Sequence, residues 1–171
     1  LQKSGKVRDF GVSNQNPMMM ELLKREVKQP LTINQLQLSA AFTPGFDAGF
    51  HVNMEGDKAA LRDGSVFEYC KLNDMVIQAW SVLQFGYFKG NFVGKEQFHN
   101  LNEVLNRLAL KYGVSPSAIA IAWVLRYPAK MQAVVGTTNP KHLIEASQAS
   151  NVNLTRKEWY EIYLAAGNDL P

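Results

Sequence analysis

Short apolar segments alternate with helix-like segments four times along the chain, and this alternation constrains the fold more than any other feature. The predicted strands cover residues 7–13, 32–39, 75–81 and 132–135. A helical segment follows each strand, with one extra helix before the last strand and another after the fourth unit. Alternating β and α segments at this spacing predict parallel strands joined by right-handed crossovers.

The last predicted strand ends in a turn that is suited to meet an anion. Gly136 breaks the apolar run, hydroxyl and amide residues follow it, and Pro140 stands well at a first helical position. Such a strand-to-helix turn leaves backbone N–H groups available, and the phosphate of a nucleotide is a natural ligand for them. Taken alone, an ordinary helix cap without any ligand is the more common explanation.

Polar and aromatic residues gather where the predicted strands end. They are Ser13, Asn14, Trp80, Ser81, Gly136, Thr137 and Thr138. In open α/β sheets and in (β/α)8 barrels, ligands bind at the carboxyl ends of the strands. We therefore expect these residues to meet at one ligand site.

Two side chains near this site leave alternatives open. Gln35 lies inside an otherwise apolar strand, where a buried amide needs a partner, so it is either tied to backbone or in reach of a ligand. Trp80 either stacks on a planar ring or is a plain core aromatic.

Composition predicts one globular domain, residues 1–171, and excludes several classes of function. With 46% hydrophobic residues, the chain has enough for a real core. The net charge of +3 without any Lys/Arg run argues against nucleic acid as a partner. The single Cys70 excludes an internal disulfide framework and predicts a reducing, cytoplasmic setting. No apolar run reaches the roughly 20 residues of a membrane helix, and His51 has no partner at a metal-ligand spacing.

Some side chains are expected to serve packing. The methionines at 18–20 in the first predicted helix are interpreted as core filler, and Cys70 as a small buried hydrophobe. The segment 40–63 lacks clear periodicity, and a loop of that length is usually functional or mobile. Its larger side chains either wall a pocket or pin the loop to the body; they are Phe42, Phe46, Phe50, His51 and Met54.

Five short motifs follow one another along the chain. They are the run 5–14 (GKVRDFGVSN), the pair Asn34-Gln35, the run 79–83 (AWSVL), the segment 111–126, and the turn 136–140 (GTTNP) with Leu143 and Glu145. Each is weak alone, but as an ordered set they resemble the C-terminal half of an aldo-keto reductase. The resemblance implies an α/β fold, the C-terminal half of a (β/α)8 TIM barrel, with four parallel strands (the fifth to the eighth) and flanking helices.

The same resemblance implies a site for NADP(H), which supplies hydride from its nicotinamide ring. By position, Ser13, Asn14 and Gln35 would hydrogen-bond the nicotinamide carboxamide, and Trp80 would stack on the nicotinamide ring. Ser81 and Leu83 would meet the pyrophosphate. The adenosine end would be held by Gly136, Thr137, Thr138, His142 and Glu145.

Four positions depart from the family's pattern. The family often has a Lys where Gly136 stands and an Arg where His142 stands. Those cations grip the 2′-phosphate of NADP(H), so NAD(H) stays an alternative cofactor. Ala146 occupies the place of a common adenine-contacting Asn, and Val82 that of a usual Pro.

The family's catalytic Asp, Tyr, Lys and His belong to the first half of the barrel, and none of them is matched here. Five tyrosines lie in or beside predicted helices, where packing or surface positions are expected; they are Tyr69, Tyr112, Tyr127, Tyr160 and Tyr163. We therefore expect no catalytic residue in this chain and no reduction by the chain alone.

The resemblance leaves two functions open. The first is a fragment or split chain of an NADP(H)-dependent aldo-keto reductase that reduces a small carbonyl substrate, an aldehyde or ketone, by hydride transfer. The second is a non-catalytic cofactor-binding or oligomerising half-barrel module. The opening residues, Leu1 to Gly5 without an initiator Met, are interpreted as the tail of a helix from something longer.

Four strands that belong to a closed barrel would leave two open edges and one uncovered apolar face. Open edges recruit other strands, and parallel strands expect cover on both faces. The expected partner is therefore the missing N-terminal half-barrel or a second copy of this chain.

Overall fold

Four parallel strands form one sheet in the order β1–β2–β3–β4, in a computed structural model that describes residues 1–50, 65–86 and 89–170. The strands are β1 (Phe10–Ser13), β2 (Leu31–Gln37), β3 (Val76–Trp80) and β4 (Met131–Ala133). All three neighbouring pairs are parallel, which confirms the prediction from the alternating segments. The strands are shorter than predicted at most ends, and β1 begins only at Phe10, where its register against β2 shifts.

Seven α-helices connect and flank these strands in the described residues. They are α1 (Pro17–Glu26), α2 (Pro44–Phe50), α3 (Val66–Leu72), α4 (His99–Tyr112), α5 (Pro116–Leu125), α6 (Pro140–Ser147) and α7 (Arg156–Ala165). Short 3₁₀ turns cover Glu96–Phe98 and Gln148–Asn151. Within the described ranges, no single helix has both the length and the apolar composition of a membrane span; the bent pair Glu96–Tyr112 and Pro116–Leu125 meets both only jointly, across a 94° bend.

Local sequence signals set most helix boundaries. Asn16 caps α1 by accepting a hydrogen bond from the Met19 N–H at 2.9 Å, and proline follows it at the first helical position. Thr155 and Glu158 form the predicted capping box of α7. Gly113 ends α4 in the left-handed conformation (φ 66°), which glycine adopts without a steric penalty.

The helix α2 was not expected, because its sequence has no apolar periodicity and contains two glycines. Tertiary packing accounts for it. Phe46 is only 2% exposed and contacts the rings of Phe67, Tyr127 and Tyr163. Phe46 therefore packs this part of the segment against the body, which was one of the two interpretations. The side chain of Phe50 and the residues His51 and Met54 lie outside the part of the chain that the structure describes.

The helix-facing side of the sheet carries the core. Ile77 and Ala79 of β3 are fully buried there. Farther out, Trp123 of α5 and Trp159 of α7 stack with ring centroids 4.8 Å apart, and each indole N–H donates to the other's backbone carbonyl at 3.0 Å. These paired bonds satisfy both buried indoles and fix α7 against α5.

The methionines of α1 do not all serve the core. Met20 is fully buried, whereas Met18 is 70% exposed and Met19 is 50% exposed, so the prediction was wrong for two of the three. The helix buries one narrow face, with Pro17 and Met20, and no described element covers its other apolar side.

The other side of the sheet is more polar than expected. Ile33 and Val76 form one row across the strands, but the next row consists of Ser13, Gln35, Gln78 and Gln132. The expectation of an uncovered apolar face is therefore only partly met, since hydrophilic amides line its centre.

Candidate functional site

Two turns at the carboxyl ends of strands define the site. Asn14 follows β1 with φ 54°, and Ser81 follows β3 with φ 53°. Asparagine is one of the residues that tolerate this left-handed region best, because its short amide can hydrogen-bond locally. Each turn sends the chain away from the sheet directly after the strand, at the end where ligands bind in parallel α/β folds.

Hydrogen bonds join four of the predicted residues. The hydroxyl of Ser13 donates to the Gln35 carbonyl at 3.1 Å, and the Asn14 backbone N–H donates to the same oxygen at 2.9 Å. The Trp80 indole N–H donates to the Asn14 Oδ1 at 3.4 Å. Residues from three strands are thereby tied into one assembly, with Trp80 half-buried rather than in the core.

A groove of about 510 Å³ runs from the end of β3 to the turn after β4. Seven of the eleven predicted cofactor residues line it, namely Trp80, Ser81, Leu83, Gly136, Thr137, His142 and Glu145. The groove also touches Asn91 and Ser117, which no sequence motif indicated. Thr138 is exposed and does not line the groove, so the structure does not bring it to the others.

A second cavity, of about 370 Å³, lies on the other side of Trp80. Asn14, Gln37 and Phe42 line it together with Trp80 itself. Trp80 is thus shared by two adjoining spaces, and the pair of cavities offers room for an elongated ligand that passes the indole ring.

The turn before α6 has the geometry of a helix cap. Thr137 Oγ1 accepts from the Asn139 N–H at 3.1 Å, and Asn139 Oδ1 accepts from the Lys141 N–H at 3.0 Å. The chain's own side chains therefore occupy two of the N–H groups that an anion would use. The alternative of an ordinary cap is compatible with this geometry, and an anion would have to use the remaining donors.

The residues present fit a nicotinamide dinucleotide. The half-buried indole of Trp80 suits a planar ring, and the hydroxyl and amide groups beside it suit a carboxamide. A Cβ at Gly136 would meet no atom within 4 Å, so the groove is open beside this residue. Among the described residues that line this groove there is no Lys or Arg, and His142 is the one basic side chain.

Three buried titratable side chains among the described residues have raised pKa values. Burial first, and then the charge of Glu68, raise the pKa of Tyr127 to about 12. Burial and the neighbouring carboxylate of Asp47, which accepts the Tyr163 hydroxyl at 2.9 Å, raise the pKa of Tyr163 as well. Burial likewise raises the pKa of the Cys70 thiol, which is fully buried as predicted. In the part of the chain that the structure describes, no three His, Cys, Asp or Glu side chains cluster as metal ligands.

Two further amides, Gln78 and Gln132, continue from Gln35, and the sequence analysis did not select them. Gln35 Nε2 donates to Gln78 Oε1 at 3.2 Å, and Gln78 Nε2 donates to Gln132 Oε1 at 2.8 Å. The signal was present, since both are amides inside short strands, but their alignment depends on the register between strands. Gln35 is thus tied to a side chain, an arrangement that neither of the two sequence alternatives named.

Comparisons with known proteins agree on one family. The model of the "Aldo/keto reductase family" matches residues 1–165. A 6-dehydroglucose reductase of Agrobacterium fabrum is 34% identical over 172 residues, covering 99% of this chain and 50% of the relative. The oxidoreductase YdhF of Escherichia coli is 30% identical over 173 residues, covering 100% of this chain and 51% of the relative.

Solved structures show the same fold. An aldose reductase from Giardia lamblia superposes with a TM-score of 0.68 at 16% identity, covering 99% of this chain and 48% of that one. The chain spans about half the length of the curated relatives it matches. Its four parallel strands and flanking helices correspond to half of a (β/α)8 barrel.

Proposed function

Because the chain belongs to the aldo-keto reductase family, we propose that it supplies most of the cofactor site of an NADP(H)-dependent reductase of aldehydes and ketones. One observation carries the proposal: seven of the eleven residues selected from the sequence as cofactor contacts line one groove that ends at Trp80. Bound NADPH supplies the hydride that reduces the carbonyl carbon. The single cysteine, buried as a thiol, supports a cytoplasmic setting.

In this proposal the chain binds and orients the cofactor. Trp80 stacks on the nicotinamide ring, while Ser13, Asn14 and Gln35 hydrogen-bond its carboxamide. Ser81 and Leu83 contact the pyrophosphate. The adenosine end lies against Gly136, Thr137, His142 and Glu145, whereas Thr138 stays outside the groove. The absence of Lys and Arg from the described groove lining keeps NAD(H) as an alternative.

The catalytic Tyr, Asp, Lys and His come from another segment, the N-terminal half-barrel. The edges of the sheet support a partner of this kind, since β1 and β4 each pair on one side only among the described strands. The helices that follow them expose apolar side chains: Met18, Met19, Leu22 and Leu23 on α1, and Leu143 and Ile144 on α6. Burying both sets against neighbouring helices would close the barrel.

A second copy of the chain is the alternative partner, and sedimentation separates the cases. The proposal expects this chain alone to self-associate or to aggregate through its open edges. A stable, well-folded monomer at micromolar concentration would count against any need for a partner.

Activity of the complete protein tests the proposed function. With NADPH and a panel of small aldehydes, ketones and oxidised sugars, the complete protein should consume NADPH, and the chain alone should not. Trp80→Ala should reduce the rate, whereas the surface control Ser150→Ala should leave it unchanged. If the complete protein binds NADPH but reduces no carbonyl, the non-catalytic half-barrel module becomes the better account.

A further inference from the structure

Three glutamines form a continuous row across the sheet. Gln35, Gln78 and Gln132 occupy the same register position on β2, β3 and β4 and so share one face. The Gln35 Nε2 lies 3.2 Å from Gln78 Oε1, and the Gln78 Nε2 lies 2.8 Å from Gln132 Oε1. Each amide thus donates to the next one in the direction of β4. Gln35 and Gln78 are half-buried, and Gln132 is exposed at the end of the row.

The row determines which atom Gln35 offers to a ligand. An amide has one donor group and one acceptor group, and Gln35 uses its donor on Gln78. Within the described residues, no donor contacts the Gln35 Oε1. In the row as it stands, the Gln78 Nε2 is used on Gln132 at 2.8 Å, so the Gln78 Oε1 is the atom that meets Gln35. The Gln35 Oε1 therefore remains as an acceptor.

Asn14 shows the opposite arrangement. Its Oδ1 accepts from the Trp80 indole N–H, which leaves its Nδ2 as a donor. A primary carboxamide needs one donor for its oxygen and one acceptor for its NH₂ group. Asn14 and Gln35 together provide this pair, and each amide is oriented by a neighbour, Asn14 by Trp80 and Gln35 by Gln78.

We infer that Gln78 and Gln132 are positioning residues that hold the Gln35 amide with Oε1 presented to the NH₂ group of the nicotinamide carboxamide. The inference rests on the proposed function and adds two residues to it. Without this row no described residue holds the Gln35 amide, and its reversed orientation would present an NH₂ group to the NH₂ group of the carboxamide.

Two substitutions at Gln78 separate positioning from packing. Gln78→Met keeps the length of the side chain but removes the acceptor, so the orientation of Gln35 is lost. Gln78→Glu keeps an acceptor for Gln35 Nε2, and the exposed Gln132 amide can turn to donate to the new carboxylate. Gln78→Glu should therefore rescue what Gln78→Met loses.

The probe is 3-acetylpyridine adenine dinucleotide phosphate, in which a methyl group replaces the carboxamide NH₂. Calorimetric titration of the complete protein should show that Gln78→Met weakens NADP⁺ binding about 5- to 10-fold, the worth of one neutral hydrogen bond. The affinity for the acetylpyridine analogue should stay unchanged, and Gln78→Glu should bind NADP⁺ like the wild type. Gln132→Met, at the exposed end, is the second variant should Gln78→Met fold poorly, with an expected loss of about 2- to 3-fold.

Equal losses for NADP⁺ and for the analogue would overturn the inference, because they would indicate a structural role for the row. Unchanged NADP⁺ affinity in both the Gln78→Met and Gln132→Met proteins would overturn it too, while leaving the proposed function intact. If the wild type binds neither NADP⁺ nor NAD⁺, the proposed function fails and the inference fails with it.

Discussion

The indole nitrogen of Trp80 donates a hydrogen bond to the side-chain oxygen of Asn14 across 3.4 Å. Asn14 follows β1 and Trp80 ends β3. These two strands are not neighbours, since β2 lies between them. The bond fixes the edge of an aromatic ring that belongs to both cavities of the site. It also decides which end of the Asn14 amide remains for a ligand.

Asn14→Gly and Asn14→Asp should therefore differ. Glycine keeps the left-handed turn at φ 54° but removes the acceptor, whereas aspartate keeps the acceptor and loses the amide donor. We expect the Trp80 indole N–H resonance to shift strongly in Asn14→Gly and little in Asn14→Asp. Nuclear magnetic resonance of the complete protein, with the peak assigned by Trp80→Phe, provides the measurement.

Both Asn14 variants should bind NADP⁺ about 5- to 10-fold more weakly, because both lack the amide donor. An Asn14→Asp protein that binds NADP⁺ as tightly as the wild type would show that this donor makes no contact with the cofactor.

Cofactor preference should respond to charge at the adenosine end. In Gly136→Lys, the added Cβ meets no atom within 4 Å. His142→Arg changes an exposed side chain in the same groove. Together they should raise the affinity for NADPH about tenfold relative to NADH, since hydrogen bonds to a phosphate are charge-assisted. Titrations with both cofactors measure the ratio.

Ser150→Lys adds a cation at an exposed position outside the groove and serves as the matched control. It should leave the NADPH-to-NADH ratio within about twofold of the wild type, because Ser150 does not line the groove and salt screens exposed charges. If Ser150→Lys raised the NADPH-to-NADH ratio equally, the effect would come from net charge and not from a contact in the groove.

Acid should weaken the protein partly through Glu158. Burial tends to raise the pKa of this carboxyl, but hydrogen bonds from Lys111 at 2.5 Å, from Thr155 and from Tyr112 at 2.8 Å outweigh it and lower the pKa to about 2. The carboxylate therefore stabilises the folded state above its ordinary pKa of 4.5, and this contribution is lost as the pH falls from 4.5 towards 2. Between pH 5 and pH 3, the wild type should lose about 2 kcal/mol more unfolding free energy than Glu158→Gln.

Urea unfolding at a series of pH values measures this difference. Glu161→Gln is the control, because Glu161 lies on the same helix as Glu158 and forms an exposed ion pair with Arg107 of α4. This variant should change the free energy of unfolding at pH 7 by less than about 0.5 kcal/mol. Parallel pH curves for the wild type and Glu158→Gln would contradict the assignment.

Gly11 is required for the close approach of β1 to β2. A Cβ at this position would lie 2.7 Å from the Ile33 Cβ and 3.0 Å from its carbonyl oxygen, so a strand would have to move. Gly11→Ala should cost about 1–3 kcal/mol of unfolding free energy and should weaken NADP⁺ binding, because Ser13 and Asn14 lie on the displaced strand. Gly136→Ala, with open space around its Cβ, should change the stability by less than about 0.5 kcal/mol.

Local signals made most helix boundaries and the alternation of strands and helices predictable from sequence. The caps at Asn16 and at Thr155 depend on residues three positions away or fewer, and the structure contains both. The exposure of Met18 and Met19 was not predictable from such signals, because it depends on what packs outside α1. The same holds for Phe46, whose partners come from α3, α5 and α7.

The residues of the candidate site also fall into those that sequence position identifies and those that depend on tertiary structure. Trp80, Ser81 and Gly136 were identifiable because each stands at a strand end, where the position in the sequence nearly determines the position in space. Gln78 and Gln132 required the strand register, which places them opposite Gln35 only in the assembled sheet.

Equilibrium titration of NADPH into the complete protein, beside its Trp80→Ala variant, tests the central claim most directly. The groove and the stacking role of Trp80 predict saturable binding in the range of about 1–100 μM and a loss of about tenfold in the variant. Absence of saturable binding, or an affinity that does not depend on Trp80, would contradict the assignment of this groove to a nicotinamide cofactor.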